Sequence, residues 1–486
     1  MLLAAPSLAD ERLGVIDFPN SGNEAAQEPF LRGVLLLHNF EYDDAAVAFR
    51  EAQKADPRFA LAYWGEAITH YRPVWGRENL DKARAALKKG AKADSATSRE
   101  RGYLAAAKIV FGEGERADRW QRYTDAMGRL ASDHPGDLEA ASLHAVSMFG
   151  TTGGKRDTRT YMKIASIVED VFLENRNHPG ALHYLIHSFD DPIHAPLGLR
   201  YARRYSDVAS SAPHAQHMPS HIFLALGMWD ECVSSNIDSW NSSEARVKRL
   251  GLGSGDRGYH ALWWMQYAYL QLGQIEKARE KLAIVEEDAM RSGTRLARSH
   301  HAYLRAHLLI DGGQWDADLA LVKDDGIDGR AWGANALAEG LRAIKAGNLD
   351  GARKWAKKLK NRSGAKGRNS ESLPISALQL EGLLLLQDGQ SEAALEKLGA
   401  ATRLESETAF GYGPPFPPKP SFELQGDVLL QLGRAEEAAK AYRSALDRTP
   451  RRALSLIGLK RAAAASGDRE SANWAKAELG DYAAPH

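Results

Sequence analysis

Small and apolar residues punctuate this chain at helical spacing, with polar residues filling the places between. In FELQGDVLLQLGRAEEAAKAYRSALDRTP (422–450), Gly433, Ala438, Tyr442, Ala445 and Pro450 mark a helix, a tight turn and a second helix. Small residues stand where two helices must approach, and an aromatic fills the remaining gap. The next segment, ALSLIGLKRAAAASGDRESANWAKAEL, repeats the pattern with Gly467, 34 residues after Gly433, and Ala472 in the matching small position. A glycine followed five residues later by a small residue recurs at Gly389 and Ala394, Gly347 and Ala352, Gly273 and Ala278, and Gly227 and Cys232. Near the N-terminus Gly33, Ala45, Phe49, Ala52 and Pro57 hold corresponding places. A period of 34 predicts stacked helix-turn-helix units, and no segment reads as a strand. GLGSGDRG (251–258), RSGAKGRNS (362–370) and GYGPPFPPKP (411–420) break the period with Gly and Pro and are predicted loops. The last reads as a linker, with a lid over a groove as the alternative.

This spacing resembles that of tetratricopeptide repeats. The predicted fold is accordingly all-α, a right-handed α-solenoid of tetratricopeptide-like helix hairpins. It divides into repeats over 10–250, which contain a histidine-rich block, middle repeats over 251–410, a proline-rich loop at 411–421 and C-terminal repeats over 422–486. Residues 1–9 end in Ser7-Leu8-Ala9, a small-x-small pattern after a short apolar stretch, and read as the remnant of a signal peptide. A periplasmic or secreted location is expected, with a cytoplasmic one as the alternative.

Composition narrows the partners. Lys and Arg number 63 and so do Asp and Glu, which leaves no net charge. No nucleic-acid partner is expected on that balance. No apolar run approaches the length of a bilayer span, so no membrane insertion is expected either. Cys232 is the single cysteine, which excludes an internal disulfide and a cysteine-rich metal site. Its place in the repeat makes it a small packing residue.

The histidines change the picture. Of 16 in the chain, seven (178, 183, 187, 194, 214, 217 and 221) fall between residues 178 and 221, where a uniform spread would leave one or two. Pro179, His183 and His187 are followed 34 residues later by Pro213, His217 and His221. An i,i+4 pair lies on one helical face, about 6 Å apart along the axis, and two imidazoles so placed can share an ion. With facing helices about 8–10 Å apart, His183, His187, His217 and His221 are predicted to converge on a divalent transition metal in the concave groove. Hydrogen-bonded structural histidines are the alternative. Pro219, inside HMPSH, fits only in the first turn of a helix. His214 shares the face of His217 if that helix starts early enough. Nitrogen donors favour zinc or copper, with nickel or iron also open, over calcium or magnesium. Asp190 and Asp191 close the first histidine helix and are placed to orient an imidazole. Asp191 and Glu66, a carboxylate in the apolar segment WGEAITH, are the candidate proton-moving groups. HExxH is absent. The Gly-Gly-Lys of FGTTGGKRDT lacks the spacing of a phosphate loop.

HPGALHYLIHSFDDPIHAPLGL, PHAQHMPSHIFLALGMWDE, HNFEYDDAAVAF and YWGEA together resemble a family of bacterial tetratricopeptide-repeat proteins, many of them exported. That family carries an HPGxxHYxIHxxDxPxHA segment followed by HMPSHI. The resemblance implies that His178, His183, His187, His194, His214, His217 and His221 act together, and it brings no assigned reaction. Phe416 stands where relatives carry a tryptophan. Two function classes follow. One is a metal-dependent hydrolase or oxidase acting on a small molecule or peptide in the groove. The other is a protein- or peptide-binding scaffold with structural histidines.

Overall fold

The computed structural model describes residues 11–323, 325–364, 372–480 and 482. The signal-peptide remnant expected in 1–9, and residues 365–370 of the second predicted loop, lie outside them. Helices follow one another from Glu24–His38 to Arg469–Leu479 and pack mainly on their sequence neighbours, which makes the chain an all-α solenoid of tetratricopeptide-like hairpins. A departure from the helical expectation is a small antiparallel pair, Tyr71–Arg72 with Arg77–Glu78, wrapped around the turn Pro73–Trp75. The chain resolves into two compact units. One comprises Met1–Asp190 with His194–Ile222, the other Asp191–Ile193 with Phe223–His486. The helix Trp229–Leu250, which ends the first block of repeats in the sequence, belongs to the second unit.

The repeat signature has a steric cause. A Cβ on Gly426 would lie 2.9 Å from the Tyr442 ring, and one on Gly458 would lie 2.2 Å from it. The ring is therefore seated between the first helix of its own hairpin and that of the next. Phe49 is seated in the same way between Gly33 and Gly65, at 2.8 and 2.3 Å. Cys232 is fully buried and accepts no solvent, as its packing role requires, and burial pushes its thiol pKa up.

In the first unit an extended N-terminal segment ties helix ends together. Val15 N–H donates to Asn177 O at 3.0 Å, and Asn39 Nδ2 donates to Leu13 O at 2.9 Å. The second unit is organised around Arg452, which is fully buried. Its guanidinium meets Glu423 at 2.8 Å, Asp311 at 2.6 Å and the Tyr267 hydroxyl at 3.1 Å. Burial raises the Glu423 carboxyl pKa, but Arg452 and Lys419 outweigh it and hold the group at about 2. The proline-rich segment is packed rather than loose. The Phe416 ring lies 5.6 Å from Trp263 and 5.4 Å from Tyr303, and Gln379 Nε2 donates to Lys419 O at 2.7 Å.

Candidate metal centre

The helix Pro179–Phe189 starts where proline's missing N–H does no harm, and His178 caps it by accepting the Ala181 N–H on Nδ1 at 3.1 Å. Every residue of this helix is buried, so His183 and His187 must find partners inside the protein. The second pair is arranged differently from the sequence expectation. Pro219 has no N–H to continue the helix Pro213–His217, and it opens a new one, Pro219–Leu226. His217 and His221 therefore stand on successive helices, not on one i,i+4 face. Their rings still lie 5.0 Å apart.

Five imidazoles close a circuit in the first unit. Ring centroids are separated by 4.9 Å for His183 and His187, 5.5 Å for His187 and His221, and 5.0 Å for His221 and His217. His214 completes it, 6.2 Å from His217 and 5.0 Å from His183. The four predicted ligands are thus neighbours in space, and His214 joins them. Within the circuit, ligand atoms of His183, His187 and His214 all lie within 4.8 Å of one another. His187, Asp190 and His221 form a second group that meets the same limit. An aromatic wall stands over the first group. The Phe40 centroid is 4.2 Å from His183, 5.6 Å from His214 and 5.9 Å from His187, and Trp75 lies 5.0 Å beyond it.

Hydrogen bonds orient several of these rings. His183 Nδ1 donates to the His38 carbonyl at 2.7 Å, which leaves Nε2 with its lone pair, buried and with no hydrogen-bond partner. His214 Nε2 is likewise buried without one. The Ser220 hydroxyl donates to His217 O at 2.7 Å, so its oxygen accepts from His217 Nδ1 at 3.3 Å. His221 Nδ1 meets the Asp190 carboxylate. His183, anchored through one nitrogen and presenting the other, is in the usual state of a metal-binding histidine. Burial first, and the neighbouring imidazoles after it, hold His183, His187 and His214 well below the ordinary histidine pKa and keep them neutral. Neutral imidazole is the ligand form.

A third group supports the first. Glu139, fully buried, meets His38 Nε2 at 2.5 Å and His178 Nε2 at 3.0 Å, while His38 Nδ1 pairs with the Tyr184 hydroxyl at 2.8 Å. His178 Nδ1 is already an acceptor, so its Nε2 carries the proton and donates to Glu139. Burial raises the Glu139 carboxyl pKa, and the two imidazoles outweigh that and hold it well below the carboxylate range. Burial also lowers His38, in spite of the carboxylate beside it. Each polar atom in this group is committed to another. Its effect on the circuit runs through the backbone of His38, whose carbonyl orients His183.

Of the two carboxylates expected to move protons, Glu66 lies outside these groups and Asp191 is assigned to the second unit. Glu66 is held by Gln53 Nε2 at 2.8 Å and Arg50 at 3.3 Å, both on the helix Tyr42–Ala55, and belongs to none of the three groups. Asp191 Oδ1 accepts the Ile193 N–H at 2.9 Å, and it is Asp190 that meets an imidazole. His194 takes the N-cap position of the helix Ala195–Val208. The Gly-Gly-Lys loop leads to Arg156, whose guanidinium donates to Ser188 O at 2.7 Å and satisfies the carboxyl end of the histidine helix.

A sequence profile of the tetratricopeptide repeat matches residues 420–452. No curated protein matches the chain. Among solved structures, the APC/C hetero-tetramer Cut9-Hcn1 is 11% identical, with 93% of this chain and 72% of that one covered and a TM-score of 0.38. The human IFIT1 dimer with m7Gppp-AAAA is 13% identical, with 96% and 90% covered and a TM-score of 0.38. Yeast Tom70 is 11% identical, with 94% and 92% covered and a TM-score of 0.27.

Proposed function

We propose that this tetratricopeptide-repeat protein binds a divalent transition metal, zinc or copper before nickel or iron, through His183, His187 and His214, with His217 and His221 beside them. The observation that carries this reading is the pair of buried, partnerless nitrogens, His183 Nε2 and His214 Nε2, that belong to one three-histidine group. Two such buried orphan atoms are costly unless something binds them. Three neutral imidazoles leave a further coordination place, where a bound ion would lower the pKa of water to about 7. On this reading the protein is a metal-dependent hydrolase or oxidase for a small or peptide substrate. His38 and Asp190 orient His183 and His221, and Glu139 braces His38. Glu66, held by Gln53 and Arg50, is not one of the ligands. The proposed location is periplasmic or extracellular, on the Ser7-Leu8-Ala9 pattern.

The repeat match at 420–452 favours a second reading, a scaffold that takes a protein or peptide partner. The two readings separate by elemental mass spectrometry of the purified protein beside a His183→Ala/His214→Ala variant. Near-stoichiometric metal in the wild type and none in a folded variant supports the centre. No metal in either, after incubation with each ion, leaves the scaffold.

A further inference from the structure

The turn inside the first hairpin carries an aromatic where the chain otherwise places glycine. Phe40 has φ +59°, and Arg451 is the other non-glycine with positive φ among the described residues. In the hairpin turn at Gly433, φ is +78°, its N–H donates to Leu430 O, and the next N–H, of Arg434, donates to Leu429 O. Phe40 makes the same pair of bonds, its N–H to Leu37 O at 3.1 Å and that of Glu41 to Leu36 O at 2.9 Å. Gly227, Gly273, Gly347, Gly389 and Gly467 repeat the arrangement with φ between +68° and +81°. Ala45 follows Phe40 at the five-residue distance that separates each of those glycines from its small residue. The position asks for glycine, since a side chain there meets the backbone unfavourably. The Phe40 ring is spent on one place, against the imidazoles of His183, His187 and His214, backed by Tyr42 at 5.3 Å and Trp75 at 5.0 Å. A backbone kept in a disfavoured region at a cluster of ligand-type side chains points to a role at that cluster.

We propose that Phe40 is a positioning residue of the metal centre, whose ring closes one side of the His183, His187 and His214 group and keeps water off it, limiting the ion to four ligands. This rests on the metal-binding reading above. Removing the apolar side chain opens that side, and the ion gains water ligands. Replacing the ring by another apolar side chain leaves the side closed.

Cobalt(II) is the probe, because four-coordinate cobalt absorbs strongly in the visible and five- or six-coordinate cobalt weakly. Metal-free protein is titrated with cobalt(II) as wild type, Phe40→Gly, Phe40→Asn and Phe40→Leu, with circular dichroism as the check on folding. The wild type is expected to give intense bands. Phe40→Gly and Phe40→Asn, both at ease with positive φ, are each expected to give weak bands and about tenfold lower affinity, within the range for losing a support of a metal site. Phe40→Leu is expected to restore the intense bands. Intense bands in Phe40→Gly or Phe40→Asn, with or without loss of affinity, overturn the role of Phe40 and leave the metal centre standing. A wild type that takes up no cobalt, zinc or copper overturns the centre itself and this role with it.

Discussion

Glu66 illustrates how a buried carboxylate acquires a structural duty. Gln53 and Arg50 reach it from the adjoining helix, so its charge is answered where one hairpin packs on the next. Glu66→Ala removes the acceptor for Gln53 and is expected to lower stability by about 1–3 kcal/mol, read by urea unfolding, with metal content unchanged. Loss of metal at full stability would instead place Glu66 in the centre. His301 in the second unit tests the electrostatics away from that centre. Burial, and secondarily Arg305, push its pKa down to about 4. Its folded pKa lies below the unfolded value, so the unfolded chain binds a proton that the folded chain refuses. The contribution of His301 is complete above about pH 6.5 and fades as pH falls toward 4. Titration of the His301 ring by NMR should show a midpoint near 4, and His301→Gln should flatten that part of the stability profile. A midpoint near 6.5 would contradict the burial argument. At this scale the sequence was half legible. His183 and His187 share one helix, and their spacing alone brings them together. Glu139 stands 101 residues from His38, with no local pattern to mark it, and Asp190 differs from Asp191 only in which way a helix end turns.

Hairpins were the most legible level, because their signature is a packing rule. A ring on the second helix needs glycine on two first helices, and the chain states that rule twice in full, at Phe49 and at Tyr442. Gly458→Ala forces a methyl against Tyr442 and is expected to destabilise by about 1–3 kcal/mol. The same change at Gly467, which has nothing within 4 Å, meets only its backbone preference. Thermal unfolding of the two variants separates packing from backbone conformation, and equal losses would refute the seating of the ring. The break at Pro219 was signalled by the residue itself, but its result was not, since the second histidine pair meets across two helices. The network around Arg452 had no sequence signal, as its partners come from three separate hairpins. Arg452→Met takes the buried guanidinium from Glu423, which keeps Lys419, and from Asp311, which keeps His307, and a loss of about 3–5 kcal/mol is expected. Adding Glu423→Gln should recover part of it, and an additive loss would show that the charges are not coupled.

Across the molecule, period and composition were enough to read an all-α repeat chain. The division into two units was not readable, because the repeat pattern runs through Ile222 without a linker. Metal binding gives the division a measurable meaning. A ligand held only by the folded state stabilises it by about 2.7 kcal/mol at a hundred times its dissociation constant. Hydrogen exchange is expected to slow in Pro179–Phe189 and Pro213–His217 on addition of zinc, and to stay unchanged in Ser421–Gln431. Uniform slowing along the chain would place the ion elsewhere.

The aromatic at position 40 also bears on how such a chain is redesigned. A consensus built by averaging its own hairpins would write glycine there, as six of its turns do. The product would keep the period, the seated rings and all five imidazoles, yet lack the cover over three of them. Averaging retains what the repeats share, and the information peculiar to the first hairpin resides in the residue that departs from those six turns.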